Sequence, residues 1–272
     1  MQLFNSLFMQ HILVPIGSTE NAVNTLQYAI DFAASVQAKV FVFRAYNVQT
    51  KAGTIINIDE IVARETNLYL RTMVNAVDTK NVEIQLISAK GNVVNSVEAI
   101  DKELNIDLII TGAKSNSIKE EVFLGKTTGS IVKQTEIPVL IVPIKYAFTP
   151  FTSVLTAFKS GIVQQEEALK PLQYLKEKMN VGVHLLLVKT PNYTAEDLIL
   201  DPKLAALKTT FTTTENATTY QGVLEKLEAI QPDLLCVFRR KRGFFKKLWE
   251  KNTILKKEFY TTIPLLVRSE ER

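Results

Sequence analysis

The chain has 272 residues, a formal net charge of +4, an apolar fraction of 46% and a charged fraction of 22%, which is typical of one large or two ordinary globular domains. A single cysteine excludes an intrachain disulfide, two histidines argue against a His/Cys metal site, and apolar runs of only a few residues exclude a bilayer-spanning helix. The opening MQLFNSLFMQH lacks the basic and apolar regions of a signal peptide, so we expect a cytoplasmic protein.

In the first half of the chain, short apolar runs alternate with longer amphipathic stretches. The apolar runs predict strands: HILVPI, KVFVFRAY, VEIQLIS, IDLIITG and IPVLIVP. The stretches between them carry apolar residues at helical spacing: NAVNTLQYAIDFAASV, IDEIVARETNLYLRTMVNAV, NVVNSVEAIDKEL and TGSIVKQT. Apolar strands that alternate with helices predict a parallel sheet covered on both faces, and right-handed crossovers make it doubly wound.

The same order of elements begins again after PIKYAFTPF, at about residues 144–151. The strands TSVLTAF, VGVHLLLVK, LKTTFTT, DLLCVF and IPLLV alternate there with the helices EEALKPLQYLKEKM and YQGVLEKLEAI. Short echoes link the halves, because LQY occurs in the first helix of each, IDLII matches PDLLC and EIPVLIV matches TIPLLVR. The aligned pairs are Leu26 with Leu172, Asp107 with Asp233, and Ile137 with Ile263, the last two offset by 126.

This ordered set of echoes predicts an internal duplication. We expect an α/β protein of two repeated flavodoxin-like or Rossmann-like domains, each a mostly parallel five-stranded sheet with helices on both faces. The domains are predicted to cover residues 1–146 and 147–272. The second copy is shorter between its second and third strands, so its second helix is expected to be reduced.

The stretch FLGKTTGSIVKQ, residues 123–134, contains the Gly-Lys-Thr that ends a phosphate-binding P-loop. The P-loop pattern G-x-x-x-x-G-K-[ST] would need its first glycine at position 120, which is Glu120. A carboxylate there would repel phosphate, and no strand directly precedes the loop. We therefore reject a P-loop at this place.

Two stretches of the first half carry a different resemblance: ILVPIGSTENA at its start and TGAKSNSIKEEVFLGKTTGSIVKQTEIPVLIVP at its end. They resemble the opening I-L-V-P-x-D-x-S and the closing G-x-x-G-x9-G-[ST] of the universal stress protein (UspA-like) family. The chain is similar to tandem members of that family, strongly in its first half and through strand order in its second. The resemblance implies a stress-response-type binding or signalling protein that is not an enzyme.

The resemblance also implies a binding site for ATP, ADP or AMP in the first domain, and no metal. The predicted residues are Pro15, Gly17, Gly112, Ser115, Gly125, Lys126 and Thr127. Independently of the family, Gly112 ends a parallel strand and Gly125 precedes a helix N-terminus, which suits phosphate. Three departures predict weak binding: Gly17 replaces the family's acidic residue, Ser115 replaces a glycine, and Lys126 replaces a hydroxyl residue.

Other interpretations of the same residues stay open. Gly125 can be only a turn, with GKTTGS capping a helix and Lys126 solvated. The function is then that of an interaction scaffold without nucleotide, and a slow ATPase that uses the same loop is a further alternative. No Ser–His–Asp or Cys–His set is suggested by spacing, so we predict no catalytic residue.

In the second half, the positions aligned with the closing motif are Phe238, Lys241, Lys251 and Asn252, so we predict no nucleotide there. We expect this domain to pair with the first as an intrachain pseudo-dimer through the strands PVLIV and PLLV, which would protect their edges. A further homodimer stays open, and the protein partner is not indicated.

Residues 239–258 hold nine basic and two acidic side chains, and aromatic residues are interleaved with them. We predict an amphipathic segment whose basic side chains are solvated. Contact with nucleic acid or an anionic membrane is the less favoured alternative.

Four further residues are predicted to be structural. His184 and Cys236 lie in apolar strands, where a hydrogen-bonded histidine and an inert thiol are expected. Asp107 and Asp233 each precede a strand, and we expect each to cap the preceding turn.

Overall fold

The fold is taken from a computed structural model, which describes residues 9–17, 21–47, 58–114, 124–191, 193–239 and 262–269. Internal packing divides these residues into two compact units. The first unit comprises the described residues up to Lys114 together with Leu124–Phe148, and the second comprises those from Thr149 onward.

The first unit is a parallel sheet whose strands are connected by helices. Its elements are β1 His11–Pro15, α1 Ala22–Val36, β2 Lys39–Tyr46, α2 Ile58–Asn75, β3 Ile84–Lys90, α3 Val93–Leu104, β4 Leu108–Gly112, α4 Gly125–Gln134 and β5 Val139–Val142. The strand order is β3-β2-β1-β4-β5, and these strand pairs are parallel. The order reverses between β1 and β4, and open α/β sheets bind ligands beyond the carboxyl ends of the strands at such a point.

Local sequence explains where the helices of this unit end. The side chain of Asn92 caps α3 by accepting a hydrogen bond from the Val94 amide at 2.8 Å. Both α1 and α3 end at a left-handed residue, Gln37 and Asn105, whose amide bonds back into the last turn. The strands β4 and β5 are buried along almost their whole length, as their continuous apolar runs predict.

Residues outside the described ranges separate the last two strands of the second unit, and up to that point it has the same succession of elements. They are β6 Ser153–Phe158, α5 Lys170–Met179, β7 Gly182–Lys189, α6 Pro202–Leu207, β8 Thr210–Glu215, α7 Thr219–Ile230, β9 Leu234–Arg239 and β10 Leu265–Ser269. The strand order β10-β9-β6-β7-β8 corresponds to that of the first unit, and the pairs are again parallel. The α/β fold with two repeats is therefore confirmed.

The two units differ in their second helix, as predicted. Helix α2 has 18 residues, whereas α6 has six and begins at a proline after the Asp201 cap. The LQY echo marks equivalent core positions, because Leu26 in α1 and Leu172 in α5 are both fully buried.

The predicted hydrogen-bonded role of His184 and the predicted strand position of Cys236 are confirmed, and the inertness of the thiol stays a prediction. His184 forms a hydrogen bond between its Nδ1 and the Thr210 hydroxyl at 2.8 Å. The Cys236 thiol is buried in β9, and burial raises its pKa to about 12. His11 is also structural, because its Nδ1 lies 2.6 Å from the Leu104 carbonyl and its ring packs edge-on against Phe41.

Arg239, the first residue of the basic segment, is buried and donates to the Ser269 hydroxyl at 2.7 Å, so the prediction of a solvated side chain was wrong at this position. Some predictions have no test here. The rest of the segment, from position 240 to 258, falls outside the described residues, so its role stays a prediction. None of the described helices is long and apolar enough to cross a bilayer. The pairing of the two domains and the cytoplasmic location stay predictions.

Candidate functional site

The predicted site lies at the carboxyl ends of β1 and β4. These strands are neighbours, with Ile12 opposite Leu108 and Leu13 opposite Ile109. Pro15, which ends β1, is half-buried, and Gly112 ends β4. The parallel register therefore brings the residues that follow β1 and β4 to one edge of the sheet.

Gly112 is a glycine because α1 approaches β4 closely. A Cβ at this position would lie 2.5 Å from the Thr25 hydroxyl oxygen and 3.1 Å from the Asn21 amide nitrogen. A Cβ at this position would require the Thr25 side chain to shift. The glycine that sequence analysis assigned to a ligand thus has a packing requirement of its own.

Gly125 begins α4 in the left-handed region, with φ +74°. A Cβ there would meet the Cβ of Lys114 at 3.1 Å, so both conformation and space favour glycine. The preceding residue, Leu124, gives the helix no side-chain cap. The amides of the first turn, which have no partner within the helix, carry the positive end of the helix dipole.

Helix α4 begins three residues before the predicted stretch TGSIVKQT. Lys126 and Thr127 occupy its first turn and are exposed. The helical spacing of buried residues, from which the helix was predicted, therefore begins only at Thr128. Thr128 is buried and donates to the Gly112 carbonyl at 3.0 Å. Its hydroxyl also lies 2.9 Å from that of Thr111, so Thr128 ties α4 to β4.

The predicted site residues therefore fall into three groups. Gly112 and Gly125 come together through the Thr128 link and the side chain of Lys114. Lys126 and Thr127 lie beside them on exposed positions. Pro15 and Gly17 follow on the neighbouring strand. Ser115 falls outside the described residues.

Gly17 is exposed, and no atom of the described residues lies within 4 Å of a Cβ built on it. Its carbonyl accepts a hydrogen bond from the Tyr69 hydroxyl of α2 at 2.9 Å. The Arg44 guanidinium, from the carboxyl end of β2, lies 4.0 Å from the centre of the Tyr69 ring. The Arg44 Nη1 is buried and has no hydrogen-bond partner in the part of the chain that the structure describes.

Neither Arg44 nor Tyr69 was predicted from the sequence to belong to the candidate site. The available signal was a charge in KVFVFRAY, at a position that shares its face with Val40 and Val42. Both valines are fully buried, so an arginine on the same face of the strand needs an explanation. Tyr69 gave no such signal.

The equivalent edge of the second unit is filled by the chain itself. Gly161, which follows β6, donates its amide to the Asp197 carbonyl at 2.8 Å and accepts from the Asp201 amide at 3.0 Å. Its Cα faces the carbonyl of Ile199 so closely that a Cβ would collide with it. Of the positions aligned with the closing motif, Phe238 is buried in β9 and the others fall outside the described residues.

Within the described ranges, no group of three or more histidine, cysteine, aspartate or glutamate side chains is arranged to hold a metal ion. The first-unit crevice instead offers glycines, hydroxyls, lysines and an arginine. These groups suit an anionic ligand rather than a cation.

The fold and this crevice define a doubly wound α/β protein with a candidate anion site at the switch point of its first sheet. Residues 9–143 match the model of the Universal stress protein family, and the chain belongs to that family.

Solved structures extend the similarity of fold to both units. A universal stress protein from Archaeoglobus fulgidus DSM 4304 has 18% identity and a TM-score of 0.71, over 97% of this chain and 100% of that one. A protein of unknown function from Pseudomonas aeruginosa PAO1 has 12% identity and a TM-score of 0.56, over 96% of this chain and 92% of that one. A search of curated proteins gave no match.

Proposed function

We propose that the chain is a stress-response-type binding or signalling protein whose first unit binds an adenine nucleotide reversibly and weakly. The observation that carries this proposal is Gly125, held at φ +74° against Lys114 where α4 begins beside the end of β4. Leu124 gives the start of α4 no side-chain cap, and phosphate binding uses first-turn amides that are not capped in this way. Lys126 and Thr127, exposed in the same turn, add a positive charge and a hydroxyl donor.

The ligands that fit this proposal are ATP, ADP and AMP, with phosphate at the start of α4 and the nucleoside toward Pro15 and Gly17. Gly17 provides no carboxylate for a ribose diol, which supports weak binding. The crevice residues named above include no histidine or carboxylate that could act as a general base. We therefore propose binding without turnover.

Nucleotide release and titration test this proposal. The purified chain is denatured, and its supernatant is run on anion exchange to detect released nucleotide. ATP, ADP and AMP are then titrated calorimetrically into the wild type, Gly125→Val and Gly91→Ala. The last variant is the control, because Gly91 also has positive φ, +123°, but lies between β3 and α3.

Bound or titratable nucleotide that is lost in Gly125→Val and kept in Gly91→Ala is the expected result. The absence of binding up to millimolar nucleotide would leave the alternative of an interaction scaffold. That alternative has its own support, because the contacts of Gly112 and Thr128 explain both residues without a ligand. A slow ATPase would instead show ATP-dependent phosphate release that disappears in Gly125→Val.

A further inference from the structure

Arg44 is a half-buried cation on the face of β2 that also carries Val40 and Val42. It follows Phe43, which pairs with Pro15 of β1, so it lies level with the chain leaving β1. Val40 and Val42, on the same face of β2, are fully buried. The arginine therefore stands at the carboxyl edge of the sheet, one strand away from β1 and two strands away from β4.

The Tyr69 ring favours the charge of Arg44, but one donor of its guanidinium, Nη1, has no hydrogen-bond partner among the described residues. The Tyr69 ring, 4.0 Å from the guanidinium carbon, supplies a cation–π contact. Nη1 is nevertheless buried without a hydrogen-bond partner, and no ion pair joins Arg44 to another described residue. On the adjoining helix α2, the Oδ2 oxygen of Asp59 pairs with Lys90, whereas its Oδ1 oxygen is buried without a hydrogen-bond partner among the described residues.

A guanidinium with one unused buried donor, at the edge where the ligand is proposed to bind, is suited to an anionic group of that ligand. Arginine binds phosphate with two parallel N–H donors, and a buried donor without a partner is costly until such a group is present. Gly17, whose carbonyl accepts from the hydroxyl of the same Tyr69, has no atom of the described residues within 4 Å of a Cβ built on it. Gly17 also carries no charge that would repel a phosphate.

We propose that Arg44 binds a second phosphate of the ligand, so that the crevice prefers a nucleotide that is phosphorylated on its ribose. This inference rests on the proposed function. Strands are spaced about 4.8 Å apart, so Arg44 and Gly112 are separated by about 10 Å across the sheet. A nucleoside bridges such a distance, with its 5′-phosphate at α4 and its 2′- or 3′-phosphate at Arg44. Arginine has the same role in dinucleotide-binding α/β folds that take a ribose 2′-phosphate.

The test compares AMP, adenosine 3′,5′-bisphosphate and adenosine 2′,5′-bisphosphate by calorimetry on the full chain. The variants are Arg44→Met, which keeps most of the side-chain volume without the charge, and Arg71→Met. Arg71 is an exposed arginine of α2 and serves as the matched control. The wild-type comparison of ligands is informative even if Arg44→Met fails to fold.

The expected result is that a bisphosphate binds the wild type roughly 10- to 100-fold more tightly than AMP, the size of a charge-assisted hydrogen-bond pair. Arg44→Met should remove this preference and keep AMP binding, whereas Arg71→Met should change neither. Equal affinity for AMP and both bisphosphates overturns the inference and leaves the proposed function standing. The absence of binding of all three nucleotides overturns both.

Discussion

The carboxylate of Asp107 accepts a hydrogen bond from the backbone amide of His11 at 3.0 Å, and the same oxygen accepts one from Gln10 at 2.8 Å. Asp233 repeats this relationship in the second unit, where its carboxylate accepts from the Ser153 amide at 3.0 Å. Each aspartate precedes the fourth strand of its unit and fixes the start of the first. Asp107 and Asp233 were predicted to cap the turn that precedes each of them. This prediction was wrong, because the amides that they contact lie 80 to 97 residues away in the sequence.

Asp107→Ala should therefore lower the free energy of unfolding without changing nucleotide affinity. The part-buried amide of His11 and the exposed amide of Gln10 lose a charged acceptor, and we expect a loss of roughly 1–3 kcal/mol. Urea denaturation of Asp107→Ala and Asp107→Asn measures the effect, since asparagine keeps one acceptor oxygen and should lose less. An equal loss in both variants would contradict the assigned role, as would a change in nucleotide affinity.

Replacement of Gly112 by alanine should destabilise the first unit through a collision with α1. The new Cβ would lie 2.5 Å from the Thr25 hydroxyl oxygen, and overpacking of this kind costs about 1–3 kcal/mol. The double variant Gly112→Ala/Thr25→Ala should recover most of that loss, because it removes the colliding atom. A double-mutant cycle from thermal denaturation gives the coupling energy. Strictly additive losses would show that the contact with Thr25 does not set the need for glycine.

The sequence predicted the repeated α/β architecture because its signals are local. Apolar runs gave the strands, and the LQY echo marked Leu26 and Leu172, which are both fully buried. The short α6 followed from the missing length between two strands. These features depend on periodicity and spacing, which a sequence carries directly.

The chemistry of the crevice was harder to predict because it depends on pairs that are distant in sequence. Gly112 was noticed as a motif glycine, but its contact with Thr25 of α1 is visible only in the structure. The neighbouring threonines differ by one helix position, so Thr128 is buried while Thr127 is exposed. Arg44 of β2 contacts the ring of Tyr69 of α2, and this pairing has no sequence signature.

The left-handed conformation of Gly125 can be tested separately from its ligand. Alanine at φ +74° costs about 1–2 kcal/mol, whereas asparagine tolerates this region better. Gly125→Ala should therefore be less stable than Gly125→Asn, although both add a Cβ at 3.1 Å from Lys114. Thermal denaturation of the two variants without nucleotide makes the comparison. Equal stability would indicate that space, rather than backbone conformation, requires the glycine.

Cys236 should resist thiol reagents in the folded chain. Its side chain is buried in β9, and burial raises its pKa to about 12, so little thiolate exists at pH 8. Reaction with 5,5′-dithiobis(2-nitrobenzoate) at pH 8 should be slow in buffer and rapid in urea. Each chain should release one thionitrobenzoate, because it has one cysteine. Rapid labelling of the folded chain would show that β9 opens or that the thiol is accessible.

The segment that covers the end of β6 should depend on pH through Asp197. The Thr194 amide, at 2.9 Å, is the largest cause that holds the pKa of this carboxylate below its usual value, and the hydroxyls of Ser160 and Thr194 add to it. Because the folded pKa is depressed, the stabilisation is present above the unfolded value of about 3.9 and is lost as pH falls through the folded value.

Asp197→Asn should thus be less stable than the wild type at pH 7 by roughly 1 kcal/mol, since the group is partly solvated. The difference should shrink toward pH 3, where the wild-type carboxylate begins to be protonated. Urea denaturation at both pH values measures it, with Glu196→Gln as the control because Glu196 is an exposed neighbour. A difference that persists unchanged at pH 3 would mean that the shape of Asp197, and not its charge, holds the segment in place.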